Sequence, residues 1–398
     1  MNTLSNRIKS IPESETLAMA ARARQMKEKG IEVISLSLGE PDFKTPKHIQ
    51  EGAIEAINSE KYFAYPPVNG YLDLRQAISE KFKRDNGLDY SADQIVVSNG
   101  AKQSIANVFM AILNPGDEVI VLTPYWVSYS AMILLAEGTP VFVQGTIEND
   151  FKATADQIRE AITDKTKAII FSSPCNPTGS VFTRAELESI ANVLKEREDI
   201  TIISDEIYEL INFGAKHESI GTIGGLLDRT VTVNGFSKGF AMTGWRVGYI
   251  GAPLWIAKAA NKMQGQYTSG NCSIAQRAAL AALKGSMEPS MEMTKAYEKR
   301  RALVYDLLKE IPGFEVNMPQ GAFYFFPNVR YYLGKSHGDM KIETVSDLCM
   351  YLLEDAHVSL VTGEAFGDPE CLRLSYAASE EELKTAIAKV KESLAKLS

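Results

Sequence analysis

The sequence predicts an α/β protein in which a three-layer α/β/α large domain with a mostly parallel sheet is joined to a smaller α+β domain. Two observations favour this fold class. From about residue 95, short β-branched runs alternate with segments of helical periodicity, as expected for strands joined by crossover helices. Beyond Pro312-Gly313 the pattern changes to shorter strands and helices. The 398 residues are enough for two domains.

The part of the chain before the alternating pattern is predicted to be mainly helical. Residues 16–27 have helical periodicity, and Gly30 offers a C-terminal stop. Residues 32–36 are typical of a strand, which runs into the turn Gly39-Glu40-Pro41-Asp42. Further helices are expected after Pro46 and Leu72.

The alternating region supplies the predicted large sheet. One of its helices has Thr183 as N-cap, with Glu186 at capping-box spacing. The predicted elements are strands at 95–97, 118–122, 140–143, 167–171, 201–204, 231–233 and 245–250, with a helix at 101–113. Parallel strands end at one edge of their sheet, so functional groups are expected to gather there.

The C-terminal part begins with residues 271–312, which are predicted to be largely helical, and the stretch from 286 connects the two domains. After the break at 312–313, the predicted elements are a strand at 322–326, a helix at 346–354, a strand at 372–375 and an amphipathic helix after Ser379.

Composition excludes several classes of function. A net charge of −8 and a pI near 5.3 disfavour nucleic acids and anionic membranes as partners. The N-terminus has no apolar signal region, and no apolar run approaches a membrane span. Four cysteines without C-x-x-C spacing indicate reduced thiols, and hence a cytoplasmic protein. Four histidines show no metal-ligand spacing, so no metal site is expected.

Ser237-Lys238, at the end of the strand predicted at 231–233, is the most informative motif. Lysine forms Schiff bases with carbonyl cofactors when its amine is easily deprotonated. The Ser237 hydroxyl, and the Arg246 guanidinium a short loop beyond, suit the oxygens of a phosphate monoester. The motif therefore favours covalently bound pyridoxal 5'-phosphate (PLP).

The same residues also fit a hydrolase motif. Gly235-Phe236-Ser237-Lys238-Gly239 matches the G-x-S-x-G nucleophile elbow, and His337 or His357 could complete a triad. An elbow runs directly into a helix, however, whereas the strand predicted at 245–250 follows here. The pattern therefore disfavours this alternative.

Other strand ends offer groups that suit the same ligand. The turn at Gly100-Ala101-Lys102 opens a helix whose N-terminus favours an anion. The Asn176 amide can donate to a phenolic oxygen, and so can the Tyr208 hydroxyl. Asp205 ends a buried strand and needs a cationic partner, such as a protonated pyridine nitrogen. Taken singly, each is also compatible with an ordinary turn or helix cap.

Trp126 and Arg373 extend the pattern. Trp126 can stack on a flat ring, although a core aromatic residue is the commoner explanation. Arg373 lies between two leucines in a half-buried strand and needs an anion, which a substrate α-carboxylate or an internal salt bridge would supply.

In this order and company, the motifs resemble the class I/II (fold-type I) PLP-dependent aminotransferases over nearly the whole chain, and the bacterial aspartate aminotransferase-like branch in particular. The motifs are Leu38-Gly39-Glu40-Pro41-Asp42-Phe43, Tyr65-Pro66-Pro67-Val68-Asn69-Gly70, Asn99-Gly100-Ala101-Lys102, Pro124-Tyr125-Trp126, Asn176-Pro177-Thr178-Gly179, Asp205-Glu206-Ile207-Tyr208, Ser237-Lys238 to Arg246, and Arg373-Leu374-Ser375. The resemblance implies a large PLP-binding domain at 41–285 and a small domain at 286–398, to which the arm and helix at 1–40 contribute.

The resemblance also implies a role for each residue. Lys238 binds PLP covalently and later moves the substrate α-proton, with Asp205 and Tyr208 as further catalytic residues. The residues implied to bind the cofactor phosphate are Gly100, Ala101, Lys102, Ser237 and Arg246. Trp126 and Asp205 are implied to contact the ring, and Asn176 and Tyr208 to bind the phenolic oxygen. The residues implied to bind the substrate are Gly39, Trp126, Asn176 and Arg373. A homodimer is implied, in which Tyr65 reaches the phosphate of the neighbouring subunit. Gly235 departs from relatives that have another serine there.

The implied reaction is a ping-pong transfer of the amino group of L-aspartate to 2-oxoglutarate. Aromatic, alanine or other neutral donors, and a C–S β-lyase activity, stay open. Relatives that bind the distal carboxylate with an arginine carry it near Gln264, which is neutral, so Lys102 or arm residues around Ser14 and Thr16 are substitutes. Relatives that use prephenate tend to have lysine where Pro12 aligns, which disfavours prephenate.

Overall fold

The computed structural model describes residues 4–11, 15–214 and 216–398. Its α-helices alternate with strands through the middle of the chain, as the sequence predicts. They are α1 (Asn6–Lys9), α2 (Glu15–Glu28), α3 (Lys47–Asn58), α4 (Leu72–Lys81), α5 (Ala101–Ile112), α6 (Ser128–Leu135), α7 (Ala155–Ala161), α8 (Arg184–Lys195), α9 (Leu254–Tyr267), α10 (Ser273–Lys284), α11 (Glu288–Lys309), α12 (Val345–Tyr351) and α13 (Glu380–Leu394).

The strands form one large sheet and three small ones. They are β1 (Ile34–Ser35), β2 (Ile95–Ser98), β3 (Glu118–Thr123), β4 (Thr139–Gln144), β5 (Thr166–Ser172), β6 (Thr201–Asp205), β7 (Thr230–Gly235), β8 (Gly248–Gly251), β9 (Tyr324–Phe325), β10 (Ser336–His337), β11 (Met340–Lys341), β12 (Val358–Ser359), β13 (Val361–Thr362) and β14 (Leu372–Ser375). The large sheet has the order β2-β8-β7-β6-β5-β3-β4. It is parallel except for β8, which is antiparallel to both of its neighbours. The predicted three-layer α/β fold is confirmed.

Helices cover both faces of the large sheet, and β6 shows how the sequence achieves this. All five residues of β6 are buried. Ile203 packs in the core beneath α5, α6 and α9, whereas Ile202 packs in the core beneath α7 and α8. Successive side chains point to opposite faces, so a strand buried on both faces needs apolar residues at successive positions, as at Ile202 and Ile203.

The C-terminal part forms its own small sheet, in which β14 lies between β13 and β9. The N-terminal β1 pairs in parallel with β12 through Ile34 and Val358, so the start of the chain joins the C-terminal part. Helix α11 leads into this part, and α13 packs against α11. The boundaries proposed at 40 and 285 stay predictions.

Several predicted elements differ in extent. The strand expected at 245–250 begins only at Gly248, because Arg246 has a φ of 56° and left-handed backbone cannot continue a strand. The strands expected at 32–36 and 322–326 shorten to β1 and β9. Helices α1, α6, α7 and α9 and strands β10 to β13 were not predicted. The Thr183 cap is confirmed, with Glu186 as its reciprocal partner. Within the described ranges, no helix has both the length and the apolar character needed to cross a bilayer.

Candidate active site

A cavity of about 650 Å³ opens where the parallel strands end. Its walls bring together nearly all residues that the sequence singled out. They are Gly39, Ala101, Lys102, Trp126, Asn176, Asp205, Tyr208, Ser237, Lys238, Arg246 and Arg373. Gly100 lies buried directly behind Ala101. Tyr65 does not line the cavity of its own chain, and 92% of its surface is exposed.

Lys238 reaches into the cavity from the turn after β7. Its ammonium donates a hydrogen bond to the Gly39 carbonyl and lies 5.6 Å from the centroid of the Tyr208 ring. Burial lowers the pKa of Lys238 to about 8, with Arg373 and Arg246 reinforcing the shift and Glu40 opposing it. A neutral amine is therefore accessible near neutral pH, which a nucleophile or proton carrier requires.

Asp205 ends β6 on the face that carries α6. Only 3% of it is exposed, and Tyr129 of α6 donates a hydrogen bond of 2.6 Å to its Oδ2. Burial raises the pKa of Asp205 to about 6, although the bonds from Tyr129 and the Ile207 amide oppose the rise. A carboxylate held this way is stabilised by a cationic ligand group.

Arg373 enters from β14 and is 3% exposed. It donates to the Asn176 side-chain oxygen at 2.9 Å and to the Ser37 carbonyl at 2.6 Å, whereas its Nε has no partner. Among the residues that the structure describes, Arg373 forms no salt bridge, so the internal pair considered above is absent there. Because guanidinium groups only donate, Asn176 must turn its oxygen toward Arg373 and leave its NH₂ free for a ligand.

The corner between α5 and β8 is shaped for an anion. Gly100 has a φ of 82°, and a Cβ there would lie 2.4 Å from Nη2 of Arg246. A Cβ on Gly248 would lie 2.2 Å from the Ala101 amide nitrogen. Arg246 donates to the Thr243 carbonyl at 2.8 Å, which fixes its guanidinium. The first N–H groups of α5 have no acceptor within the helix, so they are available to an anion beside Ser237 and Arg246.

Trp126 and Tyr208 form aromatic walls. The Trp126 ring meets Tyr129 edge to face, at 5.4 Å between centroids, and the Lys102 ammonium lies 5.0 Å from its centroid. The Tyr208 hydroxyl lies 2.7 Å from the Tyr324 hydroxyl. Burial raises the pKa of Tyr208 well above its ordinary value, so this phenol stays protonated and can donate.

Together these groups complement a phosphorylated aromatic aldehyde that has a basic ring nitrogen. The cavity offers an amine for the carbonyl carbon, a buried carboxylate for the nitrogen, an amide and a phenol for a ring oxygen, and an anion corner for the phosphate. It also offers the Arg373 guanidinium, whose Nε has no partner, for a carboxylate of the reaction partner.

The nucleophile-elbow alternative fails on this geometry. A turn, not a helix, follows Ser237, and the next short helical element is a 3₁₀ turn at Thr243–Trp245. His337 contacts the Tyr351 hydroxyl, and His357 faces the Leu353 carbonyl. Neither histidine lines the cavity, so Ser237 has no triad.

The wall residues that were not singled out from the sequence include Tyr129, Tyr324 and Glu40. Tyr129 lies on the unpredicted helix α6, and Tyr324 lies in a run of aromatic residues that reads as strand core. Glu40 belongs to a recognised motif, but its position opposite Lys238 depends on the fold. No local pattern in the sequence marks the first two.

Gln264, the neutral residue where some relatives carry a substrate-binding arginine, has a structural role. Gln264 is fully buried and donates to the carbonyls of Val68 and Val97 at 2.6 and 2.7 Å. Pro12 and Ser14, which bear on the substrate alternatives, lie outside the described residues.

A second buried group of charges lies behind β6, and we call it the charge-balanced cluster: Lys81, Asn86, Glu206, Glu209 and His217. Its charged side chains are at most 9% exposed. Lys81 pairs with Glu209, and His217 contacts Glu206 at 2.8 Å. Ligand atoms of the two glutamates and His217 lie within 4.8 Å of one another, close enough for a metal ion, but the Lys81 ammonium already supplies positive charge. Sequence spacing gave no sign of this grouping.

Comparisons with known proteins agree with this geometry. The family model "Aminotransferase class I and II" matches residues 31–390. The chain is 45% identical to an aspartate aminotransferase of Geobacillus stearothermophilus, covering 97% of this chain and 98% of that one. It is also 45% identical to a bifunctional aspartate aminotransferase and glutamate/aspartate-prephenate aminotransferase of Petunia hybrida, covering 98% and 83%. Among solved structures, the aspartate aminotransferase of Rhizobium meliloti has a TM-score of 0.96 at 42% identity and covers both chains fully.

Proposed function

The chain belongs to the class I and II aminotransferases and is a transaminase, and on that basis we propose that it transfers the amino group of L-aspartate to 2-oxoglutarate with PLP as cofactor. The observation that carries the proposal is the meeting of Lys238, Asp205 and Arg373 in one cavity, without a salt bridge for the arginine among the described residues. Aspartate as donor rests on the relatives' names and on Lys102, which lines the cavity in addition to Arg373, Lys238 and Arg246.

The chain's own residues account for the chemistry. When bound, PLP supplies a carbonyl carbon for the amino group and a ring that accepts electrons. Lys238 would hold the cofactor covalently, and its free Nζ would take the proton from the substrate Cα, which suits an amine whose pKa is about 8. Asp205 keeps a proton on the ring nitrogen, while Asn176 and Tyr208 donate to the phenolic oxygen.

We propose that Arg373 and Lys102 bind the two carboxylates of a dicarboxylic substrate. Arg373 binds the α-carboxylate through donors that are now shared with Asn176 and Ser37. Lys102 lies beside Trp126, and burial together with Arg246 lowers its pKa. A side-chain carboxylate relieves this repulsion, so Lys102 favours acidic over neutral donors.

We propose a homodimer as the working form. Tyr65 projects from the surface with 92% exposure, and Phe63 and Tyr267 are each 66% exposed. Exposed aromatic groups of this kind are typical of interfaces. In the dimer Tyr65 reaches the cofactor phosphate of the partner, and equilibrium sedimentation tests the assembly.

The decisive experiment is a panel of amino donors with 2-oxoglutarate, in which the loss of the cofactor absorbance band is followed in single half-reactions. Aspartate is expected to react faster than alanine or phenylalanine. Lys102→Gln should slow aspartate by about tenfold and leave alanine unchanged, since one charge-assisted contact is lost. Lys83→Gln, at an exposed lysine that does not line the cavity, is the control.

If aspartate reacts no faster than alanine or phenylalanine, the aspartate assignment is wrong. A parallel assay with prephenate as acceptor tests the second activity in the name of the Petunia hybrida relative. An assay of pyruvate release from cystathionine tests the C–S β-lyase activity that the sequence left open.

A further inference from the structure

We propose that Tyr324 is a positioning residue, whose hydroxyl fixes the direction of the Tyr208 hydrogen bond toward the cofactor. The inference rests on the proposed function, because it concerns how Tyr208 meets the cofactor's phenolic oxygen. It adds a residue that the sequence motifs do not mark.

Tyr324 is held tightly in the wall of the cavity. It is fully buried, and its ring lies edge to face on Tyr208 at 5.9 Å between centroids. The Arg373 guanidinium lies 4.6 Å from the Tyr324 ring centroid. A Cβ on Gly39 would lie 2.2 Å from the Tyr324 hydroxyl, so only glycine leaves this oxygen its place. The hydroxyl is thus confined opposite that of Tyr208.

The number of protons sets the direction of the hydrogen bonds. The two hydroxyls lie 2.7 Å apart, and either oxygen can be the donor. Each neutral phenol has one proton. When Tyr208 donates its proton to a ligand oxygen, the bond between the tyrosines requires Tyr324 to donate. Tyr208 then accepts one hydrogen bond while it gives another, and such chains strengthen the terminal donor.

The contact also joins two parts of the chain. Tyr324 lies in β9 and is paired with Ser375 of β14, the strand that also carries Arg373. Tyr208 follows β6 of the large sheet. The hydroxyl pair therefore exists only while the small sheet sits against the cavity, which links the position of the substrate clamp to the donor on the cofactor side.

The test is an absorbance titration of the cofactor in the purified holoenzyme, since a stronger donor to the phenolic oxygen lowers the pH at which the bound cofactor changes its spectrum. Tyr324→Phe removes one hydroxyl and keeps the ring. We expect the midpoint to rise by about half a pH unit to one unit, the equivalent of one hydrogen bond. In a Tyr208→Phe background, the same substitution should add no shift.

Tyr376→Phe is the matched control. Tyr376 is equally buried, and its hydroxyl donates to the Ala322 carbonyl at 3.1 Å instead of to Tyr208. Its removal should leave the midpoint unchanged. Substitution of 3-fluorotyrosine at position 324 keeps the hydroxyl, makes it a stronger donor and should lower the midpoint, so the proposal is tested even if the phenylalanine variant does not fold.

Two results overturn the inference. One is a Tyr324→Phe midpoint equal to that of wild type, and the other is an undiminished shift when Tyr208 is already phenylalanine. Failure of the proposed function gives a different result. Wild-type protein would then show no cofactor absorbance band, and borohydride reduction would leave no cofactor attached to it.

Discussion

The fold holds two groups of buried charges side by side and treats them in opposite ways. In the charge-balanced cluster, every charged side chain has an opposite partner: Lys81 pairs with Glu209, and His217 with Glu206. In the cavity, Arg373 is bound only by neutral oxygens and keeps an unpartnered Nε. The boundary between the groups falls between adjacent residues, Asp205 and Glu206.

Alternation along the strand explains how neighbours come to differ. Asp205 shares the face of Ile203 and meets Tyr129, whereas Glu206 shares the face of Ser204 and accepts its hydrogen bond at 3.0 Å. Burying a charge is costly without a partner. In the cluster, oppositely charged protein groups offset this cost, whereas in the cavity a bound ligand is needed to offset it. Satisfied buried charges thus mark structure here, and unsatisfied ones mark function.

The largest expected effect is on the cavity side. Lys238→Ala should lower transaminase activity by at least about 10³-fold, because covalent attachment and proton transfer are both lost. Mass measurement after borohydride reduction should show the trapped cofactor in wild type and in Lys102→Ala, but not in Lys238→Ala. A trapped adduct in Lys238→Ala would refute the assignment of this lysine.

Asp205→Asn should lower activity by about 10²- to 10³-fold, because an amide cannot hold a charged ring nitrogen as a carboxylate does. Steady-state kinetics with saturating PLP measures the loss. Glu206→Gln, one residue further on, should keep activity within a few-fold of wild type. Equal losses in the two variants would erase the proposed boundary between cavity and cluster.

Stability should show the reverse order. Glu206→Gln leaves two cationic side chains facing one carboxylate, and we expect it to lower the free energy of unfolding by about 3 kcal/mol. Asp205→Asn should instead stabilise the cofactor-free protein at pH 7, by up to about 3 kcal/mol for a carboxyl whose pKa is raised from 3.8 to about 6. Urea unfolding measures both, with the exposed Glu218→Gln as the control. A destabilised Asp205→Asn would contradict the comparison.

The smallest expected effect is a difference in the pH ranges over which Asp205 and His217 change the free energy of unfolding. Because burial raises the pKa of Asp205 to about 6, the folded protein without cofactor binds its proton more tightly than the unfolded chain, and stability falls as pH rises from about 4 to 6. Burial opposes protonation of His217, but Glu206 and Glu209 outweigh it and raise its pKa. The stabilisation that protonated His217 contributes is full below about pH 6.5 and is lost as pH rises through the folded-state pKa.

Unfolding free energies measured between pH 4 and 9 separate the two windows. Asp205→Asn should remove the lower fall and His217→Gln the upper one. Saturating PLP should also remove the lower fall, because its ring nitrogen pairs with Asp205. A lower fall that persists in Asp205→Asn would assign this titration to another group.

The sequence predicted the cavity well because strand ends are local signals with a shared destination. Asn176, Asp205 and Lys238 each follow an apolar run, and parallel strands bring such ends to one edge. Their roles followed from family resemblance and stay proposals. Arg373 was found from a different signal, a charged residue between two leucines in the strand predicted at 372–375, whose bounds β14 matches.

The rest was hidden for physical reasons. Lys81 and Glu209 meet from distant segments, and no local period encodes their pairing. Tyr129 was missed because α6 is apolar on all sides and lacks a helical stripe. Tyr324 was missed because neighbouring aromatic residues gave the same pattern as a buried strand. Tertiary contact, which the sequence does not display, selected these residues.

The pairing of β1 with β12 has a consequence for the order in which the protein is made. Ile34 leaves the ribosome early, but its partner Val358 comes near the end of translation. Domains form as their residues emerge, so the large sheet can be assembled before the partner strand of β1 has been made. Arg373, on β14, arrives later still. The nascent chain can therefore complete the large-sheet side of the cavity before Arg373 has been made.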